Sequence, residues 1–210
     1  DNTRSRGLGD VYKRQIQLAK ASSFPKENID RAIKKSLDKD TVNYDQMRYE
    51  GFGPNGTSII VEALTDNRNR TASNVRSAFQ KFGGSMGETG SVSHAFNHYG
   101  FVRYNKDVTS EEDFFNFSIE GGAEDCFIEE DTYEAVSTPE TLSNLYNYLD
   151  KKFGEPVSSG FQWKPVTYVA IEGDKLKSLI NLLNELDNDE DVQQVFSNFE
   201  ASDEELAKFA

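Results

Sequence analysis

From Phe101 to Trp163 the chain alternates short apolar runs with capped helical segments, and few folds accommodate the resulting order. Phe101–Tyr104 reads as a strand. A helix follows from about Ser110, where Ser110 and Asp113 make an S-x-x-D capping pattern. Cys126–Ile128 and Tyr133–Val136 read as strands joined by an acidic turn at Glu129–Asp131. Thr138 with Pro139 opens a second helix, whose Leu142, Leu145 and Leu149 share one face and which Gly154 stops. Val157–Trp163 closes the set. The order β-α-β-β-α-β is the split βαβ arrangement of a ferredoxin-like domain.

Strand–helix units lie on both sides of that block. Upstream, the glycine-rich turn Gly51–Gly56 leads into the β-branched run Thr57–Leu64. Thr65, Asp66 and Asn67 are N-cap types, and Ala72, Val75, Ala78, Phe79 and Phe82 recur at helical spacing until Gly83-Gly84. The segment from Ser85 to Ser91 is too rich in glycine for a regular element, and the state of Val92–Phe96 is left open. Downstream, Val166–Ile171 reads as a strand, Leu176 to Leu186 as an amphipathic helix, and Val192–Phe196 as a final strand. Residues 201–210 read as a frayed polar tail. An inserted domain explains this pattern. The expected class is α+β.

The amino end reads differently. RGLGDVYKRQ, Arg6 to Gln15, resembles one frame of a transposase sequencing adapter, so residues 1–15 are expected to be a non-native tail. Ile16–Ala21 then resembles the end of a helix. After Pro25 a basic amphipathic helix is expected, with Ile29, Ala32, Ile33 and Leu37 on one side and Lys26, Lys34 and Lys35 among its cations.

A net charge of −13 argues at first against a nucleic-acid partner. Its distribution changes that conclusion. Residues 16–106 hold 13 Lys and Arg against 9 Asp and Glu, whereas residues 107–210 hold 6 against 25. The acidity is confined to the C-terminal half, where it can repel nucleic acid or dock on a basic protein. Within the basic half, Thr65–Val92 combines Arg68, Arg70, Arg76 and Lys81 with a following glycine loop. Guanidinium forks suit phosphate, and glycines let backbone N–H groups approach an anion. Asn67 and Asn74 add neutral donors.

Enzymatic alternatives find little support. Neither a P-loop nor a G-x-G-x-x-G helix opening is present, and the glycines here follow the helix. His94 and His98 stand at a spacing that would share one helical face, but no H-E-x-x-H pattern or nearby thiolate accompanies them. Cys126 reads as an inert thiol in an apolar strand. No catalytic group, metal or cofactor is expected, and no membrane span or signal peptide is evident.

Three segments carry a specific resemblance: FPKENIDRAIKK, YEGFGPNGTSIIVEALTDNRNRTASNVRSAFQKFGGSMGETGSVSHAF, and DVQQVFSNF. Together they resemble the YebC/PmpR family, which includes the mitochondrial translational activator of cytochrome oxidase. The resemblance spans Ile16 to Glu200. It implies a three-domain fold: a truncated N-terminal helical bundle, of which residues 16–44 are the remnant, and two α+β domains. The second domain would comprise residues 45–100 and 165–200, with the ferredoxin-like third inserted as residues 101–164. It also implies a cytoplasmic, non-enzymatic factor acting on DNA as a transcriptional regulator, or on the rRNA or tRNA of the ribosome to relieve stalling at proline-rich stretches. No small-molecule substrate is implied. The candidate contact residues are Lys26, Lys34, Lys35, Asn67, Arg68, Arg70, Thr71, Asn74, Arg76, Lys81, Gly83, Gly84, Ser85, Gly90 and Ser91. His98 departs from the family, which more often has a permanently basic residue there. The alternative is a protein-interaction or ligand-sensing module without nucleic acid.

Overall fold

A computed structural model describes residues 44–209. The expectations for residues 1–43, including Lys26, Lys34 and Lys35, lie outside the described residues. The chain divides into two compact units. One is built from the segments up to Phe96 and from Pro165 onward; the other is Asn97–Lys164.

The first unit contains a four-stranded sheet of β1 (Asp45–Phe52), β2 (Ser58–Thr65), β3 (Ser85–Met86) and β9 (Val192–Ser197), in the order β3-β1-β2-β9. β2 pairs antiparallel with both neighbours, so that Val61 faces Tyr49 on one side and Val195 on the other. Alternation along β2 sends Ile59, Val61 and Ala63 into one core. Helix α1 (Arg68–Lys81) supplies Val75, Ala78 and Phe79 to that core, and α4 (Gly173–Asp187) supplies Leu176, Leu179, Leu182 and Leu186. Fully burying each leucine contributes roughly 1.5–3 kcal/mol, which makes the α4 stripe a principal anchor of this unit. A two-residue parallel pair, β8 (Val169–Ala170) with β10 (Phe199–Glu200), replaces the longer strand expected over Val166–Ile171.

Three further differences have local causes. β1 escapes sequence reading because the strand DQMRYEGF carries polar residues on its outer positions and a buried charge at Glu50. Ser85–Met86 is a short strand despite its glycine neighbours, held by pairing with Gly51 and Phe52. The C-terminal residues are not a frayed tail. Ser202 caps α5 (Asp203–Leu206), the Glu205 carboxylate accepts the Gly173 N–H at 3.1 Å, and Leu206 and Phe209 pack on the core.

The second unit has the sheet order β5-β6-β4-β7, from β4 (Phe96–Asn105), β5 (Asp125–Ile128), β6 (Thr132–Ser137) and β7 (Ser158–Pro165). β4/β6 and β5/β6 are antiparallel. With α2 (Glu111–Glu120) and α3 (Leu142–Phe153), the element order is β-α-β-β-α-β, as the sequence predicts, and the α+β class holds. Ser110 caps α2 by accepting the Asp113 N–H at 3.1 Å. α3 starts later than Thr138-Pro139 implies: Thr141 is its N-cap, and Thr138 and Thr141 form a turn before it. The core is aromatic. Phe114 stacks on Tyr133 with centroids 4.9 Å apart, and Tyr104 meets Phe153 edge-on while donating its hydroxyl to the Gly154 carbonyl.

Val92–Phe96, left open by the sequence, is a single 3-10 turn at Ser93–Ala95 running into β4. His94 therefore sits in that turn and His98 in a strand, so no shared helical face exists. The His98 ring stacks on Trp163 with centroids 4.3 Å apart.

Candidate nucleic-acid interface

The α1 segment is positioned at both ends by local chemistry. Asn67 accepts the Arg70 N–H at its N-terminus, filling one of the orphan donors of the first turn. At the other end the Gly84 N–H bonds to the Phe79 carbonyl and the Gly83 N–H to that of Gln80, with Gly83 at φ +78°. This is a Schellman ending, for which glycine at the left-handed position is strongly favoured. Between the two ends Thr71, Val75, Ala78 and Phe79 are buried, leaving Ser73, Asn74, Arg76, Ser77, Gln80 and Lys81 on the outer side.

Among the described residues, three of the four candidate cations are engaged by carboxylates. Arg68 forms a two-pronged pair with Asp45 at 2.7 and 2.8 Å. Arg70 reaches Asp66 at 2.8 Å and Asp191 at 2.8–3.3 Å. Lys81 contacts Glu185, and Asn74 donates to Asp189, both at 2.9 Å. Thr71 is buried and donates to Asp191 at 2.8 Å, so it holds the network and cannot serve as a surface contact. Arg68, Arg70 and Lys81 of the expected contacts are thus paired with carboxylates of this chain. Arg76 is exposed and, among the described residues, has no carboxylate partner.

These engagements differ in kind. The Arg68–Asp45 and Lys81–Glu185 pairs are largely exposed, a setting in which an ion pair contributes about 0–1 kcal/mol, so phosphate can compete for either cation. Asp191 is 6% exposed and also accepts the Thr65 hydroxyl at 3.2 Å. Burial pushes its pKa up, but Arg70, Thr71 and Thr65 outweigh burial and hold the carboxyl below its ordinary value.

The glycine loop is likewise inward-looking. The Val92 and Ser93 N–H groups both donate at 2.9 Å to the carboxylate of Glu50, and Gly90 adds a third backbone donor. Glu50 is 1% exposed; burial alone would raise its pKa, yet these amides and Arg48 hold it below its ordinary 4.5. Of the loop residues expected to approach an external anion, Gly90 thus turns its amide to an internal one, beside Val92 and Ser93. Gly84 and Ser85 pack beside β1, while Gly83 and Gly90 border open space at positive φ. Ser91 is half-buried.

A pH dependence follows from both carboxylates. Each has a folded-state pKa below its unfolded value, so its stabilisation is fully present above the ordinary carboxylate range and is lost as pH falls through the folded value. Urea melts should give nearly constant stability from pH 7 down to about 5 and a decline below about 4.5. Glu50→Gln should shallow that decline; an unchanged slope in the variant contradicts the assignment.

Nothing in the sequence pointed to Asp191 or Glu50. Their partners lie 121 residues away at Arg70 and 42 away at Val92, separations that periodicity cannot bridge. Among the described residues no group of three or more His, Cys, Asp or Glu could hold a metal ion, and no helix is long and apolar enough to cross a membrane. Cys126 is half-buried, and burial pushes its thiol pKa up despite an opposing Ser118 contact, which leaves it unactivated.

Comparison with known proteins gives this geometry its context. A family model for the second and third domains of TACO1/YebC proteins matches residues 44–199. A crystal structure of a conserved hypothetical protein from Aquifex aeolicus, Aq1575, is similar with a TM-score of 0.70 and 38% identity, covering 90% of this chain and 78% of that one. The fold, the matched span and the identity agree: the chain belongs to the TACO1/YebC family.

Proposed function

We propose that this chain is a non-enzymatic regulatory factor that engages the RNA of the ribosome through the outer side of α1 and acts as a translational activator. The observation that carries this reading is the combination of an exposed Arg76, without a carboxylate partner among the described residues, with the exchangeable Arg68 and Lys81 pairs on one helix. Phosphate contacts from guanidinium and ammonium groups supply affinity without base reading, which suits recognition of folded RNA by shape and backbone. Family membership supports a role at nucleic acid.

Duplex DNA regulation is the less favoured target. Glu185 and Asp189 stand on the α4 side of α1, within hydrogen-bond reach of Lys81 and Asn74. A duplex laid along α1 would bring its phosphates against these carboxylates. An RNA loop or single strand can present a phosphate to Arg76 while its neighbours turn away from these carboxylates.

Arg76→Glu should weaken binding of a labelled ribosomal RNA fragment by about tenfold or more, as expected for exchanging a charge-assisted phosphate contact for a repulsion. The wild-type affinity should fall steeply with salt, and the slope should be shallower in the variant. Fluorescence anisotropy across a salt series reads both quantities. Equal affinity of the two proteins at every salt concentration refutes α1 as the contact surface.

A further inference from the structure

The second unit carries an apolar notch on its surface that the nucleic-acid reading does not use. Phe115 and Ile119, one turn apart on α2, are 51% and 44% exposed, and Ile128 on the edge strand β5 is 48% exposed. Between α2 and β5 lies a cavity of about 340 Å³, floored by Phe114 and Tyr133 and walled by Phe115, Cys126 and Ile128. Isolated exposed apolar residues are ordinary on a protein surface; two that wall one cavity, with Ile119 a turn further along α2, are a patch. Glu111 and Glu112 stand on its lip.

The charge carried by the elements around the notch is acidic. No Lys, Arg or His occurs anywhere from Asp107 to Asp150, a stretch that contains all of α2, β5 and β6. Asp113, Glu124, Asp125, Glu129 and Glu130 add to the acidic surroundings. The cations that approach these elements come from outside that stretch: Lys106 lies 6.0 Å from the Tyr133 ring centroid, Lys152 4.4 Å from that of Phe117, and Lys164 3.8 Å from that of Phe127. Such a field excludes nucleic acid and anionic lipid, and it opposes a second copy of the same acidic surface. Strand addition to β5 is also hindered, because the Cys126 N–H is taken by the Asp125 carboxylate at 2.8 Å. Recognition therefore falls on side chains.

We propose that the α2–β5 notch is a docking site for a basic protein segment that inserts an apolar side chain between Phe115 and Ile128 while its lysines or arginines meet Glu111 and Glu112. The apolar anchor supplies affinity and the acidic rim supplies selection by sign. This proposal is independent of the α1 surface and stands whether or not that surface binds RNA.

The test uses the full chain and a short fluorescein-labelled peptide of alternating Leu and Lys, with a Lys/Ser peptide of equal charge as control. Wild type should bind the Leu/Lys peptide at least about tenfold more tightly than the control. Phe115→Ser combined with Ile128→Ser should remove that preference, and Glu111→Lys combined with Glu112→Lys should weaken the Leu/Lys peptide by about tenfold at low salt. All four positions are exposed, so thermal melts should show both variants folded. Equal binding of the Leu/Lys peptide to wild type and both variants overturns the proposal. So does self-association of wild type that the Phe115/Ile128 variant abolishes, which would assign the notch to a second copy. Binding to phosphatidylglycerol vesicles that depends on Phe115 and Ile128 would overturn it in favour of a membrane surface.

Discussion

Asp191→Ala should lower the unfolding free energy by about 3 kcal/mol, read as a reduced urea midpoint with little change in slope. Asp191 is the hub between α1 and the loop leading into β9: its carboxylate takes Thr65, Thr71 and Arg70, and its carbonyl accepts the Leu64 N–H. Removing it takes the shared charged acceptor from two buried hydroxyls, leaves Arg70 with Asp66 alone, and opens a void at a buried position. Arg70→Ala should cost less, about 1 kcal/mol, because the Arg70 side chain is 47% exposed and the two threonines still satisfy Asp191. If the two substitutions prove equally harmful, the network is centred on the arginine instead.

Gly84→Ala should be comparably damaging, at about 3 kcal/mol, and for a different reason. A Cβ at this position would lie 2.5 Å from the Phe52 carbonyl oxygen and 3.2 Å from the Gly53 Cα. Both are backbone atoms, so relief requires prising the loop away from β1. Gly83→Ala, one residue earlier, meets open space and carries only the strain of φ +78°, about 1 kcal/mol. A thermal melt of each variant separates the two. Similar losses at both positions would show that loop conformation, and not packing on β1, fixes Gly84.

Those two substitutions mark what the sequence could and could not convey. Wherever local spacing determines structure, the elements were readable: the Ser110 cap, the α1 stripe of Val75, Ala78 and Phe79, the α4 leucines, and the β-α-β-β-α-β order. β1 was hidden because its apolar phase is only Met47, Tyr49 and Gly51, and Glu50 in the other phase is buried only through amides 40 residues further along. The cluster of arginines was readable as cations but not as ion-paired cations, since Asp191 and Asp45 approach through tertiary structure. The glycine loop suggested an anion site; one of its amides, that of Gly90, and the two that follow at Val92 and Ser93 face an anion carried by this chain. Arg76, which the helical repeat places on the outer side, is the most available of the proposed cations among the described residues.

The charge division now has a structural form. Engaged but exchangeable cations surround Arg76 on α1, whereas α2, β5 and β6 carry no basic residue and surround an apolar notch with carboxylates. One surface suits an RNA backbone and the other a basic protein segment, a pairing that a ribonucleoprotein particle offers. Co-sedimentation with ribosomes at physiological salt, about 0.15 M, is the most direct measurement of that claim. The wild-type chain should pellet with ribosomes, and Arg76→Glu should remain largely in the supernatant. A wild-type chain that stays in the supernatant, yet binds a specific DNA duplex about a thousandfold more tightly than random duplex, would contradict it and make the protein a regulator of transcription.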